Sequence, residues 1–174
     1  MAAVSTSRRS TAGIVFIIAG ALLALAILLP VLKGPSAPWL GAIAFIGIAV
    51  AFGILGIGAV NSTLAKVMLI AAAIGWLLLG LNALGLALPS VLVTIAALVA
   101  GVAGLIAAIV LYVGKEVRNL PAIIFIVTTA LGLLYLLPSI GVSLTGLSLF
   151  IAVLFAAGLI VTGALFWQKE RGRR

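Results

Sequence analysis

From Val67 to Gly114 the chain runs 48 residues without a charged side chain, and from Asn119 to Gln168 it runs another 50. A helix that crosses a bilayer needs about 20 apolar residues. Each block is therefore too long for one span and has room for two spans and a tight turn. At least 22 uncharged residues separate Arg9 from Lys33, and a further uncharged stretch lies between Lys33 and Lys66. Each of these holds one span. The count is six, predicted at about 12–32, 38–60, 64–86, 90–113, 120–137 and 143–167. Strands are not expected, because the blocks are continuous apolar runs and a membrane barrel alternates over about 10 residues.

Composition agrees. Of 174 residues 66% are hydrophobic and 7% charged, with a mean hydropathy of +1.53. A soluble domain carries roughly 25% charged residues, and a globule of this size cannot hide so much apolar surface. An integral membrane protein is the class that fits, as a single transmembrane domain over 1–174. There is no Cys and no His. That excludes disulfides, thiol nucleophiles, the usual zinc sites and imidazole ligation of haem.

The charges give an orientation. With the N-terminus placed in the cytoplasm, Arg8, Arg9, Lys66, Lys115, Arg118, Lys169, Arg171, Arg173 and Arg174 fall inside, and Lys33 alone falls outside. The acids Glu116 and Glu170 also fall inside. This is a positive-inside pattern, and it predicts both termini in the cytoplasm. The net charge of +8 reads as topology and not as a nucleic-acid surface. The basic tail 168–174, which ends the stretch "WQKERGRR" that starts at Trp167, and the link "GKEVRN" are expected to attract anionic headgroups at about 1 kcal/mol per basic residue. Arg8-Arg9 before an apolar run resembles a signal peptide. The run is long and no convincing A-x-A site precedes Lys33, so an uncleaved first helix is expected.

The triplet Leu-Pro-Ser occurs at 88–90 and again at 137–139, an offset of 49 that also carries Lys66 onto Lys115 and Thr94 onto Ser143. Pro30 stands at the corresponding end of helix 1. The chain thus reads as three parallel helical hairpins, about 12–60, 64–113 and 120–167, each with a proline-marked outer turn. In this reading proline starts the return helix and the adjacent Ser caps it. The return helices are rich in small residues: Ala49 and Gly53 in helix 2, Ala97, Ala100, Gly101, Gly104 and Ala108 in helix 4, Ala152 and Ala156 in helix 6. Such faces allow close helix approach. They are expected inside the bundle, with a homodimer face as the alternative. Trp39 and Tyr135 fall near the outer boundary and Tyr112 and Trp167 near the inner one. Trp76 lies mid-helix and is expected to pack on a neighbour or lipid.

Apart from Lys66 at the inner end of the third, no acid, base or His lies within the six predicted spans, which argues against proton- or sodium-coupled transport through carboxylates. A rhomboid-type protease needs Ser and His. Mitochondrial carriers follow their prolines with charged motifs, whereas Pro89 leads into "SVLVT". No NPA pair or nucleotide-binding signature is present. No catalytic, metal or cofactor residues are expected, and no ligand-binding set is assigned. The remaining polar candidates are Asn82, Thr128, Thr129, Ser143, Thr145, Ser148 and Thr162. Hydroxyls of this kind commonly bond to their own helix backbone, and Asn82 could bond across to a neighbour for about 0.6 kcal/mol.

The stretch "GWLLLGLNALGLALPSVLVTIAALVAGVAGLIAAI" (Gly75 to Ile109), with "GIVFIIAGALLALAILLP" and "TALGLLYLLPSIGVS", resembles the HdeD-like family of small bacterial six-helix membrane proteins. The resemblance implies a bacterial cytoplasmic membrane, a multi-pass fold and a role linked to acid stress. It carries over no catalytic residue. The outer face holds Lys33 and no Asp, Glu or His, so nothing there titrates near mildly acidic pH. The expectation is a non-enzymatic accessory or stress-related protein acting through lipids, a membrane-protein partner or a homo-oligomer. The alternative is a small channel or permease for a neutral or apolar solute.

Overall fold

The computed structural model describes residues 2–117, 120–144 and 146–168. Among them are six α-helices and no strand: α1 Ala2–Val31, α2 Pro38–Gly58, α3 Thr63–Ala83, α4 Ser90–Val113, α5 Leu120–Leu136 and α6 Ser148–Gln168. A single 3-10 turn, Leu137–Ile140, follows α5. Six segments are long and apolar enough to cross a membrane. That is the make-up of a multi-pass membrane protein. Every helix turns exposed aliphatic side chains outward, for example Ile18, Val50, Ile74, Ile95, Val127 and Val161. In lipid such a surface carries no solvation cost, and the helical backbone satisfies its own polar groups.

Among the described residues the helices pack in a closed ring, each on its chain neighbours, with α6 returning onto α1. The α1–α6 seam is the most extensive, and the two seams of α5 are the least. Small residues set the close seams. A Cβ added at Gly13 would lie 2.6 Å from the Gly163 carbonyl oxygen, and one at Gly75 would lie 2.7 Å from both the Ala96 carbonyl and the Ala100 nitrogen. Only glycine lets these backbones meet. The small residues of α4 face inward as expected: Ala97, Ala100, Gly101, Gly104 and Ala108 are all buried.

A ring of six helices with neighbours about 8–10 Å apart leaves opposite axes roughly 16–20 Å apart. Something bulky must fill the middle, and aromatic rings do. Phe45, Trp76, Tyr135 and Phe155 form a closed circuit of contacts at 5.4, 5.6, 5.5 and 6.1 Å between centroids. Below it Phe16, Phe52 and Phe125 form a triangle at 5.5, 5.9 and 6.2 Å, with Phe166 on Phe125 at 5.5 Å. Offset and edge-on ring pairs of this kind add about 0.5–1.5 kcal/mol each beyond area burial. Trp76 is only 2% exposed and stacks on Phe155, so its packing role holds. Tyr135 also points inward and is no interfacial belt residue, unlike Trp39, which is 55% exposed.

The element bounds need four corrections. The first helix begins at Ala2 and not near 12, since nothing before Gly13 breaks a helix and the arginines mark where the apolar stretch starts. The third ends at Ala83 because Gly85 takes a left-handed conformation at φ 99°. The fifth ends at Leu136 because Pro138 has no N–H to continue the ladder, and the chain tightens into the 3-10 turn. The sixth begins at Ser148 and not at 143. Gly141 and Gly146, both at φ 87°, hold the intervening segment out of the helix.

The two Leu-Pro-Ser triplets are not equivalent. Pro89 precedes α4 and starts it; Pro138 follows α5 and stops it. Each outer turn is built on one left-handed residue, Lys33, Gly85 or Gly141. The bonding is the same each time. Lys33 N–H donates to Pro30 and Gly34 N–H to Leu29; Gly85 to Asn82 and Leu86 to Leu81; Gly141 to Pro138 and Val142 to Leu137. This is a Schellman helix end. Pro30 and Pro138 stand three residues before their left-handed residue, while Pro89 stands four residues after its own. The offset of 49 likewise sets Lys66, inside α3, against Lys115, in a link, and Thr94, inside α4, against Ser143, in a loop. The Ser90 hydroxyl accepts no capping bond at the start of α4 either, where Pro89 is the N-cap; the Ser90 carbonyl accepts from Thr94 Oγ1 at 3.0 Å.

Candidate functional site

The two ends of the ring differ. At the end bearing the proline turns the helices open around a cavity of about 360 Å³. Five of the six helices reach it. Phe45 and Tyr135 form its aromatic wall, and Asn82, Ser139 and Ser148 are its polar residues. None of the described lining residues is charged. Asn82 is fixed by the local turn, where its Oδ1 accepts the Leu88 N–H at 3.3 Å. The turn at Pro138 puts Ser139 on the rim, and Ser148 opens α6 beside it.

The cavity ends at the aromatic circuit. Beneath, between the two ring layers, lies space of only about 10 Å³, bordered by Phe16, Phe52, Trp76, Phe125 and Phe155. That volume is at the lower limit for one water. The threonines there are already satisfied. Thr128 and Thr162 share a hydrogen bond at 2.9 Å between hydroxyls. Thr129 donates to the carbonyls of Phe125 and Ile126, at 3.0 Å each. No side-chain nitrogen or oxygen that is sealed from solvent lacks a partner among the described residues.

The polar candidates therefore separate into two groups. Asn82 and Ser148 reach the cavity; Thr128, Thr129 and Thr162 lie in the dry centre. Ser143 lies in the loop before α6, and Thr145 falls outside the described residues. Tyr135 and Ser139 were not among the candidates, because a boundary tyrosine and a turn serine read as packing and capping in a bare sequence.

The opposite end, bearing Arg8, Arg9, Lys66 and Lys115, is tied shut. Arg9 Nε donates to the Ala59 carbonyl at the end of α2, and an Arg9 terminal nitrogen donates to the Glu116 carbonyl, each at 2.9 Å. Glu116 accepts from the backbone of Asn61 at Oε2 and of Ser62 at Oε1, each at 2.6 Å. Ser62 Oγ in turn accepts the Ala65 N–H at 3.3 Å. A cation thus closes the C-terminus of α2 and a carboxylate closes the N-terminus of α3, the arrangement that suits both helix dipoles. Arg118, Lys169, Glu170, Arg171, Arg173 and Arg174 fall outside the described residues, as does Asn119.

No protein-family model, no curated protein and no solved structure matches this chain.

Proposed function

We propose that the chain is a non-enzymatic protein of a bacterial cytoplasmic membrane, of HdeD-like kind, with an accessory or stress-related role exerted through packing against lipids or a partner protein. The observation that carries this reading is the sealed centre. Two layers of aromatic rings fill the ring of helices, and the space between them holds at most about one water. The proposal includes three hairpins of equal orientation with both termini in the cytoplasm. The partition of Arg8, Arg9, Lys66 and Lys115 to one end and Lys33 to the other supports that sidedness. Anionic headgroups are the natural lipid contacts of the basic end.

A second reading is a permease for a neutral solute, favoured by the one-sided cavity and by the thin seams of α5. Flux through the reconstituted protein separates the two. Proteoliposomes shifted into glycerol or urea are expected to swell no faster than protein-free vesicles. Saturable uptake would replace the accessory reading with the permease. Orientation is tested by a single cysteine, Ser36→Cys, in a chain that has none of its own. A membrane-impermeant maleimide is expected to label it from outside intact cells. Labelling from the cytoplasmic side alone overturns the proposed topology.

A further inference from the structure

We infer that the cavity at the proline end is a binding site for a small, uncharged, planar amphiphile. Its volume, about 360 Å³, falls within the range of small-molecule sites, about 300–1,000 Å³. Its walls combine the ring surfaces of Phe45 and Tyr135 with three separate polar groups, Asn82, Ser139 and Ser148. A few fixed polar groups on an apolar wall is how such sites orient a ligand.

Two lining residues, Asn82 and Tyr135, have hydrogen-bonding capacity to spare. Asn82 uses its Oδ1 on Leu88 N–H, so the turn holds the amide in place, and its N–H donors make no hydrogen bond to the described chain. The Tyr135 hydroxyl also makes none, although the ring is held between Phe45 and Phe155. Since no sealed polar atom lacks a partner, that hydroxyl keeps open surface. A ligand offering a carbonyl or hydroxyl oxygen on a flat ring suits donors of this kind. An anion would find no cation in the lining, and a cation no carboxylate. Burying either ion unpaired costs more than burying a neutral amide. The site is blind, because the aromatic circuit closes its floor, so binding here does not require transport.

The test uses the full chain in phospholipid nanodiscs with Trp39→Phe and Trp167→Phe, leaving Trp76 as the only indole. Trp76 lies 5.4 Å from Phe45, ring to ring, so its emission reports on the cavity wall. Three probes of matched size are titrated: benzamide, benzoate and benzylammonium. Benzamide is expected to shift the emission saturably and to bind at least tenfold tighter than either ion. Ser139→Phe, at an exposed turn position, narrows the cavity and is expected to weaken benzamide at least tenfold while leaving the unfolding midpoint in place. Ser148→Ala is expected to weaken it two- to fivefold. Equal affinity for the three probes, tighter binding of either ion, or full affinity in folded Ser139→Phe overturns the proposal. So does saturable binding in detergent that vanishes in nanodiscs, which would make a lipid chain the occupant. Equilibrium binding is read without flux, so this result and the transport result are independent.

Discussion

The two ends of this protein are made from the same apolar helices, yet one is laced and the other is hollow. At the basic end two side chains, Arg9 and Glu116, close the α2–α3 link and hold it to the segment after α4. At the proline end the corresponding polar residues, Asn82, Ser139 and Ser148, stand around a cavity. The difference lies in where charge was placed. A guanidinium fork can serve two carbonyls and a carboxylate two N–H groups, so one residue of each kind is enough to join several chain segments. A lone amide and two hydroxyls have less reach, and they leave the space between the helices open.

The floor of the hollow end is the part whose loss should matter most. Phe155 stacks on both Trp76 and Tyr135, and its ring lies over Gly132, where an added Cβ would come within 2.9 Å. Phe155→Ala should cost about 3–5 kcal/mol, as for other buried aromatic truncations, and should join the cavity to the centre. Unfolding in mixed micelles measures the first effect. Water proton exchange at the Thr128 and Thr162 hydroxyls, read by NMR, measures the second. Unchanged stability would mean the circuit does not hold the ring of helices together.

Removing the lacing should cost less. Glu116→Ala deletes two charge-assisted hydrogen bonds, and with the site partly exposed the loss should be about 1–2 kcal/mol. Asn82→Ala, at the other end, removes one long neutral bond and should cost about 0.5–1 kcal/mol. Amide exchange should locate the difference: faster at Asn61 and Ser62 in the first variant, and faster at Leu88 in the second. Equal losses would erase the distinction between the ends.

The smallest effect should be common to both. Lys33 at one end and Lys115 at the other adopt left-handed backbones, at φ 58° and 55°. Lys33→Gly and Lys115→Gly should each stabilise by up to about 1 kcal/mol, since glycine carries no steric penalty there. A gain at one end only would show that the turn lysines have contacts beyond their own helix ends.

Much of the architecture was legible from the chain alone. Two uncharged runs of 48 and 50 residues can form only paired spans, because a bilayer sets helix length and leaves no partner for loose backbone. The inward faces of α4 and the packing role of Trp76 followed from side-chain size and position. The Leu-Pro-Ser triplets were legible as turns, but the expectation that each proline starts the return helix fails at Pro138, for a physical reason. Proline fits both the first turn of a helix, where its N–H is not needed, and the end of one, where its missing N–H stops the ladder. The triplet therefore marks a turn without saying on which side of it the proline stands. The left-handed residue decides that, and a lysine at Lys33 does not announce itself as one.

What the sequence determined is the number of spans, their apolar outer faces and the partition of charge, all imposed by the membrane as solvent. What only the tertiary structure decided is closure. Whether α6 returns to α1, which rings meet in the centre, and which polar residues are spent on the backbone or left facing a cavity depend on contacts between residues far apart in the chain. Arg9 and Glu116 are separated by 107 positions, and no local pattern couples them. Apolar helices of similar composition can pack in many orders. Glycine contacts such as those at Gly13, Gly75 and Gly163 favour this one, because there two backbones come close enough to touch.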